Sequence, residues 1–272
     1  LLSAIFAALA GGFLASYFRG RQGWSGVVFL ALTVVGLLIA LRIPRLPAAD
    51  PSRRFDWNCA REFFVEVHRI RRDRVLWVAV LANTFFWFLG SLLLLNIVLY
   101  ATDVLRVDDA HSSYLLAALS LGIGVGSFVA GYASGGKIEH GMVLPGMFGI
   151  TAMAAFLSRP GLSFAAVAAL LALLGTAGGF FVVPVNALIQ RRPAAAEKGR
   201  TIAVANLLSF IGVALQPLAQ YAMLRLGHPD PARVFLLSAG MTLLMAIVLL
   251  RMMPDLGPRA LDWTRLRPRT NL

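Results

Sequence analysis

The chain predicts an all-α transmembrane fold of eight helices, and three observations carry that expectation. Residues 75–100 run for twenty-six positions without a charge, and seven further uncharged apolar stretches accompany them. Hydrophobic residues make up 58% of the chain and charged ones 14%, against ~25% charged in a soluble domain. All thirteen acidic and all twenty-five basic residues fall outside the apolar stretches. A run of ~20 apolar residues spans a hydrocarbon core of about 30 Å as a helix. Within lipid every backbone N–H and C=O must bond inside its own segment, which makes helix the natural conformation.

The spans are placed at Leu1–Phe18, Trp24–Leu41, Val75–Tyr100, Ser113–Ala133, Met142–Leu157, Ser163–Leu188, Thr201–Leu224 and Val234–Leu250. The second, fifth and eighth are short. The first two form a hairpin (residues 1–41), and residues 42–74 make a hydrophilic linker. The other six form a block over residues 75–250, followed by a polar, basic tail, 251–272, that contains Pro254 and Pro258. Leu1–Phe18 shows no basic leader and no start Met. A chain opening on Leu-Leu-Ser inside an apolar run is expected to be a piece of a longer protein.

In the linker, Phe55, Cys59, Phe63, Val67 and Ile70 recur at helical spacing, with Arg61, Arg69 and Arg72 between them. That pattern makes an amphipathic helix. It either lies on an anionic leaflet or forms a solvated connector.

The net charge of +12 and pI near 11.2 would suggest nucleic acid in a soluble protein. Here the charge follows topology. Eight spans place both termini on one side with loops 42–74, 134–141 and 189–200. That side carries nineteen Lys and Arg, and the other carries six. Positive loops stay cytoplasmic, so both ends are expected in the cytoplasm and no nucleic-acid partner is implied. Cys59 stands alone, and His68, His111, His140 and His228 show no metal-ligand spacing. Neither a metal nor a cofactor is implied.

The spans contain no ionisable side chain, which argues against a proton relay within them. What remains is amide, hydroxyl and indole: Asn83, Thr84, Trp87 and Asn96 in the third span; Asn186 and Gln190 at the end of the sixth; Asn206, Gln216 and Gln220 in the seventh. Asn83, Trp87 and Gly90 share one helical face. Asn186 and Gln190 do likewise, just after Pro184, which interrupts the helix ladder. These groups either line a neutral, hydrogen-bonding substrate pathway or simply bond neighbouring helices. Gly122, Gly124 and Gly126 superficially match a dinucleotide loop. They sit inside a span with no preceding strand, so close helix packing is the better account. Gly178 and Gly179 belong with them, and with Pro184 offer a hinge. His68 and Asp73 match the spacing of an acyltransferase His-x4-Asp pair. Their juxtamembrane context, with no downstream phosphate-binding element, makes them a topogenic charge cluster, so no catalytic residue is assigned.

Two helices, a linker and six further helices resemble the back two-thirds of a major facilitator superfamily transporter, beginning at its fifth helix. Three stretches resemble more closely the lysophospholipid transporters of bacterial inner membranes: Asn83-Thr-Phe-Phe-Trp-Phe-Leu-Gly90; Gly122-Ile-Gly-Val-Gly-Ser127 through Ser134-Gly-Gly-Lys-Ile-Glu139; and Gly178-Gly-Phe-Phe-Val-Val-Pro-Val-Asn-Ala-Leu-Ile-Gln190. The resemblance implies the last two helices of an N-terminal bundle plus a six-helix C-terminal bundle, a fragment that works with its missing N-terminal helices. It implies inward movement of lysophospholipid, chiefly lysophosphatidylethanolamine, across a bacterial inner membrane, by rocking of two bundles. An acyltransferase fused to the transporter, or encoded beside it, is an implied partner. So are the surrounding membrane lipids. By the same resemblance Asn83, Trp87, Asn186 and Gln190 become pathway candidates, and the loop of Gly131, Gly135, Gly136, Lys137 and Glu139 becomes a gating loop. Gly135 and Gly136 stand where the family places an acidic residue, which weakens a gating salt bridge there. The alternatives are a drug or metabolite carrier of the same superfamily, and a membrane anchor for a fused acyltransferase.

Overall fold

The computed structural model describes residues 22–43, 59–134, 140–225 and 230–253. Within them lie eight α-helices: α1 (Gln22–Ala40), α2 (Cys59–Arg72), α3 (Arg74–Leu99), α4 (Asp109–Ala133), α5 (Val143–Leu157), α6 (Phe164–Arg191), α7 (Lys198–Arg225) and α8 (Pro231–Met252). Five helical segments are long and apolar enough to cross a membrane, and Gly26–Ala40 and Val143–Leu157 are shorter apolar helices. The first expected span, Leu1–Phe18, lies outside the described residues.

Helices α1, α4, α7 and α8 start two to four residues before the expected spans, α3 one before, and α5 and α6 one after. Side-chain caps set four of these starts. Asp73, Asp108, Ser163 and Asp230 each turn a side-chain oxygen onto the first free backbone N–H groups of α3, α4, α6 and α8. Each such cap contributes about 1 kcal/mol. Pro231 occupies the first turn of α8, where its missing N–H costs nothing. At its far end α3 widens into a single π-turn, Tyr100–Val104, in which Leu105 N–H donates to the Tyr100 carbonyl. Arg106 then takes a left-handed backbone (φ 53°), reversing the chain into α4.

Helix α4 packs most extensively on α6, α5 on α6 and α8, and α3 on α7. The α4–α6 contact is close because glycines interlock. A Cβ on Gly122 would lie 2.0 Å from the Ala172 carbonyl oxygen, and one on Gly126 would lie 2.1 Å from that of Thr176. From the other helix, a Cβ on Gly175 would lie 2.2 Å from Leu119 O, and one on Gly179 2.4 Å from Ser127 N. Backbone meets backbone here, the arrangement by which small residues hold membrane helices together without a hydrophobic driving force. Gly124 is half-buried between these positions.

Helix α2 docks on the bundle. Ile70 is fully buried, and Phe63 and Val67 pack against the core. One face of the helix covers one end of α3 and α7, while Phe64 and Val65 remain exposed. Helix α1 has nearly all its described side chains exposed.

Candidate functional site

Two polar layers and one apolar cleft follow from this packing. The first layer runs between α3 and its neighbours α7 and α8. Asn83 is 2% exposed and donates from Nδ2 to Ser209 Oγ at 2.8 Å; that hydroxyl donates in turn to the Ala205 carbonyl at 2.8 Å. Asn96, fully buried, donates to the Pro231 carbonyl at 3.0 Å and so ties α3 to the start of α8. Gln216 and Gln220, one turn apart on α7, are both buried. Among the described residues, Asn83 Oδ1, Asn96 Oδ1, Gln216 Nε2 and Gln220 Oε1 meet no hydrogen-bond partner. Among the described residues of α3 to α8, the buried polar side chains are amides and hydroxyls.

The other pathway candidates stand apart from this layer. Trp87 is half exposed and meets Phe86 edge-on, with ring centroids 6.1 Å apart. Asn186 is half-buried and bonds its own helix, Nδ2 to the Val182 carbonyl at 3.3 Å. Gln190 and Asn206 are exposed. Pro184 is buried within α6, where it removes one rung of the helix ladder. Gly131 is exposed at the end of α4; Gly135, Gly136, Lys137 and Glu139 lie outside the described residues.

The apolar cleft lies where α3, α4, α5 and α6 converge, and its volume is about 40 Å³. Phe86, Leu89, Gly90, Leu93, Leu174 and Gly178 form most of its wall. Two glycines make it. A Cβ on Gly90 would meet nothing within 4 Å, and one on Gly178 would meet only the Phe86 ring at 3.6 Å. Both therefore differ from the interlocking glycines of α4 and α6. Phe86 also stacks toward Phe181, with centroids 5.8 Å apart, which fixes the ring at the cleft wall.

The second polar layer caps one end of the bundle. Asp73 pairs with Arg192 Nε at 2.6 Å, joining the start of α3 to the end of α6. Burial opposes ionisation of Asp73. The Arg192 hydrogen bond and charge, with the Val75 and Leu76 backbone N–H groups, outweigh it and hold the carboxyl below its ordinary value. Seven residues earlier, on α2, Glu66 is 4% exposed; it accepts from Thr201 Oγ and from Arg69, each at 3.3 Å. Arg69 also pairs with Glu197. Arg74 donates to the Arg251 carbonyl at 3.3 Å, bringing the end of α8 to the same layer. His68 is exposed. Sequence reasoning saw Asp73 only as part of a charge cluster and did not single out Glu66 or Ser209. An Asp directly before an apolar run was the available signal for the first; nothing local marked the other two.

A family model described as Major Facilitator Superfamily matches residues 1–217. The chain belongs to the major facilitator superfamily. Its apolar helices are those of a multi-pass membrane transporter family. The chain is 30% identical over 212 residues to the lysophospholipid transporter LplT of Klebsiella pneumoniae strain 342, covering 76% of this chain and 52% of that protein. It is 31% identical over 215 residues to LplT of Escherichia coli O157:H7 and 31% over 217 residues to LplT of Serratia proteamaculans, with the same shares covered. The chain thus spans about half the length of the curated relatives it matches.

Proposed function

We propose that this chain is part of an inner-membrane secondary transporter that moves lysophospholipid by alternating access. The observation that carries the reading is the pairing of an entirely apolar cleft at Gly90 and Gly178 with an amide layer on the same helix, α3. A lysophospholipid has one acyl chain and a compact polar head. The chain needs an apolar slot, and each CH₂ removed from water contributes about 0.8 kcal/mol. In this conformation the cleft is narrow, little more than the ~30 Å³ share of one water molecule. Substrate entry therefore requires α3 and α6 to part at their glycines.

The head is met by uncharged groups. Trp87, one turn from Asn83, offers an indole on the exposed side of α3. Asn186, Gln190 and Asn206 offer amides on α6 and α7. Charged anchors for the head, where used, come from helices beyond this chain. The two bundles rock about the site, and the layer of Asp73, Arg192, Glu66 and Arg69 holds one end of the described bundle as a rigid unit while they do so. The ion-pair end is assigned to the cytoplasm on the positive-inside rule.

Competition decides the substrate class. Uptake of labelled lysophosphatidylethanolamine by the full-length protein, in cells lacking their own transporter, should be suppressed by unlabelled lysophospholipid and unaffected by hydrophobic cations. Suppression by the cations alone would instead make it a drug carrier of the same superfamily.

A further inference from the structure

Helix α2 carries charges of both signs and sorts them by face. Its two carboxylates, Glu62 and Glu66, both line the groove of about 190 Å³ between α2 and α7. Both are engaged: Glu66 accepts from Thr201 and Arg69 at 3.3 Å each, and Glu62 has a partner of its own. At about 100° per residue, Phe64, Val65, Arg61, His68, Arg71 and Arg72 fall within an arc of about 120° on the opposite side. All six are exposed, Phe64 at 67% and Val65 at 60%. That arc of α2 holds three arginines, a histidine and two large apolar side chains, and no carboxylate.

The arc is graded along the helix. Arg69 pairs with Glu197, Glu66 accepts from Thr201, and Phe63 lines the groove with Val204 and Leu207. Each step back along α2 meets a step further along α7, so the two helices run side by side in opposite directions. Lys198 opens α7, whereas Val204 lies about two turns in, within the apolar run. Phe64 and Val65, next to Phe63 in the chain, stand level with that run. Arg61 shares their level, and its long stem allows the guanidinium to reach headgroups. At the other end Arg71 stacks over the Trp77 ring at 5.5 Å, and Trp beside a basic residue marks a membrane–water boundary. Apolar groups thus sit at acyl level, and Arg71 and Arg72 at headgroup level, of one leaflet.

We propose that this face of α2 is seated in the leaflet at the ion-pair end and binds anionic phospholipid there. Phe64 and Val65 enter the acyl region, and the guanidiniums of Arg71 and Arg72 take lipid phosphates, to which they donate in fork geometry. Charge complementarity selects this occupant. Water alone would leave Phe64 and Val65 exposed, and a covering protein face would have to desolvate the arginines and bring carboxylates to meet them. An anionic leaflet satisfies both groups at once. Lys198 and Arg200, exposed in the first turn of α7, add to the same positive field. The seat is separate from the transport cleft and does not depend on what that cleft carries.

Val65→Cys, carrying a nitroxide in an otherwise cysteine-free full-length protein, tests the seat. Collisions of the label with oxygen, which concentrates among acyl chains, are compared with those of a neutral nickel chelate, which stays in water. The vesicles are phosphatidylcholine alone, or equal parts phosphatidylcholine and phosphatidylglycerol. In the mixed vesicles oxygen accessibility should exceed nickel accessibility several-fold. Omitting phosphatidylglycerol should lower that ratio by about twofold or more, and Arg71→Gln with Arg72→Gln, both at exposed positions, should abolish the dependence. Greater access to nickel would make α2 a solvated connector, and exclusion of both reagents would put a protein surface over it. Either result would overturn the proposal. So would a ratio indifferent to phosphatidylglycerol, or a dependence that survives in the double variant, because the arginines would then bind no anionic lipid.

Discussion

Replacing Gly126 by alanine tests the packing logic of the bundle with a single methyl group. The added Cβ would lie 2.1 Å from the Thr176 carbonyl oxygen, 2.7 Å from Thr176 C and 2.7 Å from Thr176 Cα. The first distance is about 1.3 Å short of the 3.4 Å at which ordinary contact begins. Because the obstacle is backbone, no rotamer change can relieve it, so α4 and α6 must separate locally. A gap of 0.5–1 Å already forfeits about a quarter to a half of each dispersion contact, and overpacking a well-fitted core costs about 1–3 kcal/mol. Gly126→Ala should therefore destabilise the full-length protein by roughly 2–3 kcal/mol. Gly90→Ala, whose Cβ would meet nothing within 4 Å, should stay within about 0.5 kcal/mol of wild type. Reversible unfolding in mixed micelles, with an anionic detergent as denaturant, reads both. Equal stability of the two variants would refute the claim that α4 and α6 meet backbone to backbone.

Further outcomes follow from the two polar layers. In a double-mutant cycle, Asn83→Ala and Ser209→Ala should couple by about 0.6 and at most about 1.7 kcal/mol, and strict additivity would mean their hydrogen bond contributes nothing. Asp73 has a lowered folded pKa, so its contribution is complete above the unfolded value and is lost as pH falls through the folded one. Wild-type thermal stability should thus decline more steeply than that of Asp73→Asn between about pH 5 and pH 3. The difference should be small, about 1 kcal/mol or less, because the Asp73 side chain is 35% exposed and solvent screens the pair. Parallel pH profiles of the two proteins would count against the Asp73–Arg192 pair.

Element identity was legible in this sequence because lipid removes ambiguity: a charge-free run such as residues 75–100 has one backbone solution. Span ends were less so. Lys198, Gly199 and Arg200 are helical in α7 although they precede the apolar run, since helix continues wherever caps and tertiary contacts support it. The roles of individual glycines were not legible. Gly122 and Gly178 look alike in sequence, yet one lies against a backbone carbonyl and the other opens a cleft, a difference decided by the facing helix. Asn83 showed as a polar group in a span, but its partner Ser209 lies 126 positions away, beyond any local pattern. Glu66 was hidden for a related reason. On a basic linker helix it reads as one more surface charge, and only docking onto α7 buries it.

The proposed transport turns on Gly90 keeping open a slot for a single acyl chain. Uptake of labelled lysophosphatidylethanolamine by the full-length protein should be strong in the wild type. In Gly90→Leu, whose Cβ would meet nothing within 4 Å, it should fall at least tenfold at equal expression and equal stability. Undiminished uptake by Gly90→Leu would contradict the account.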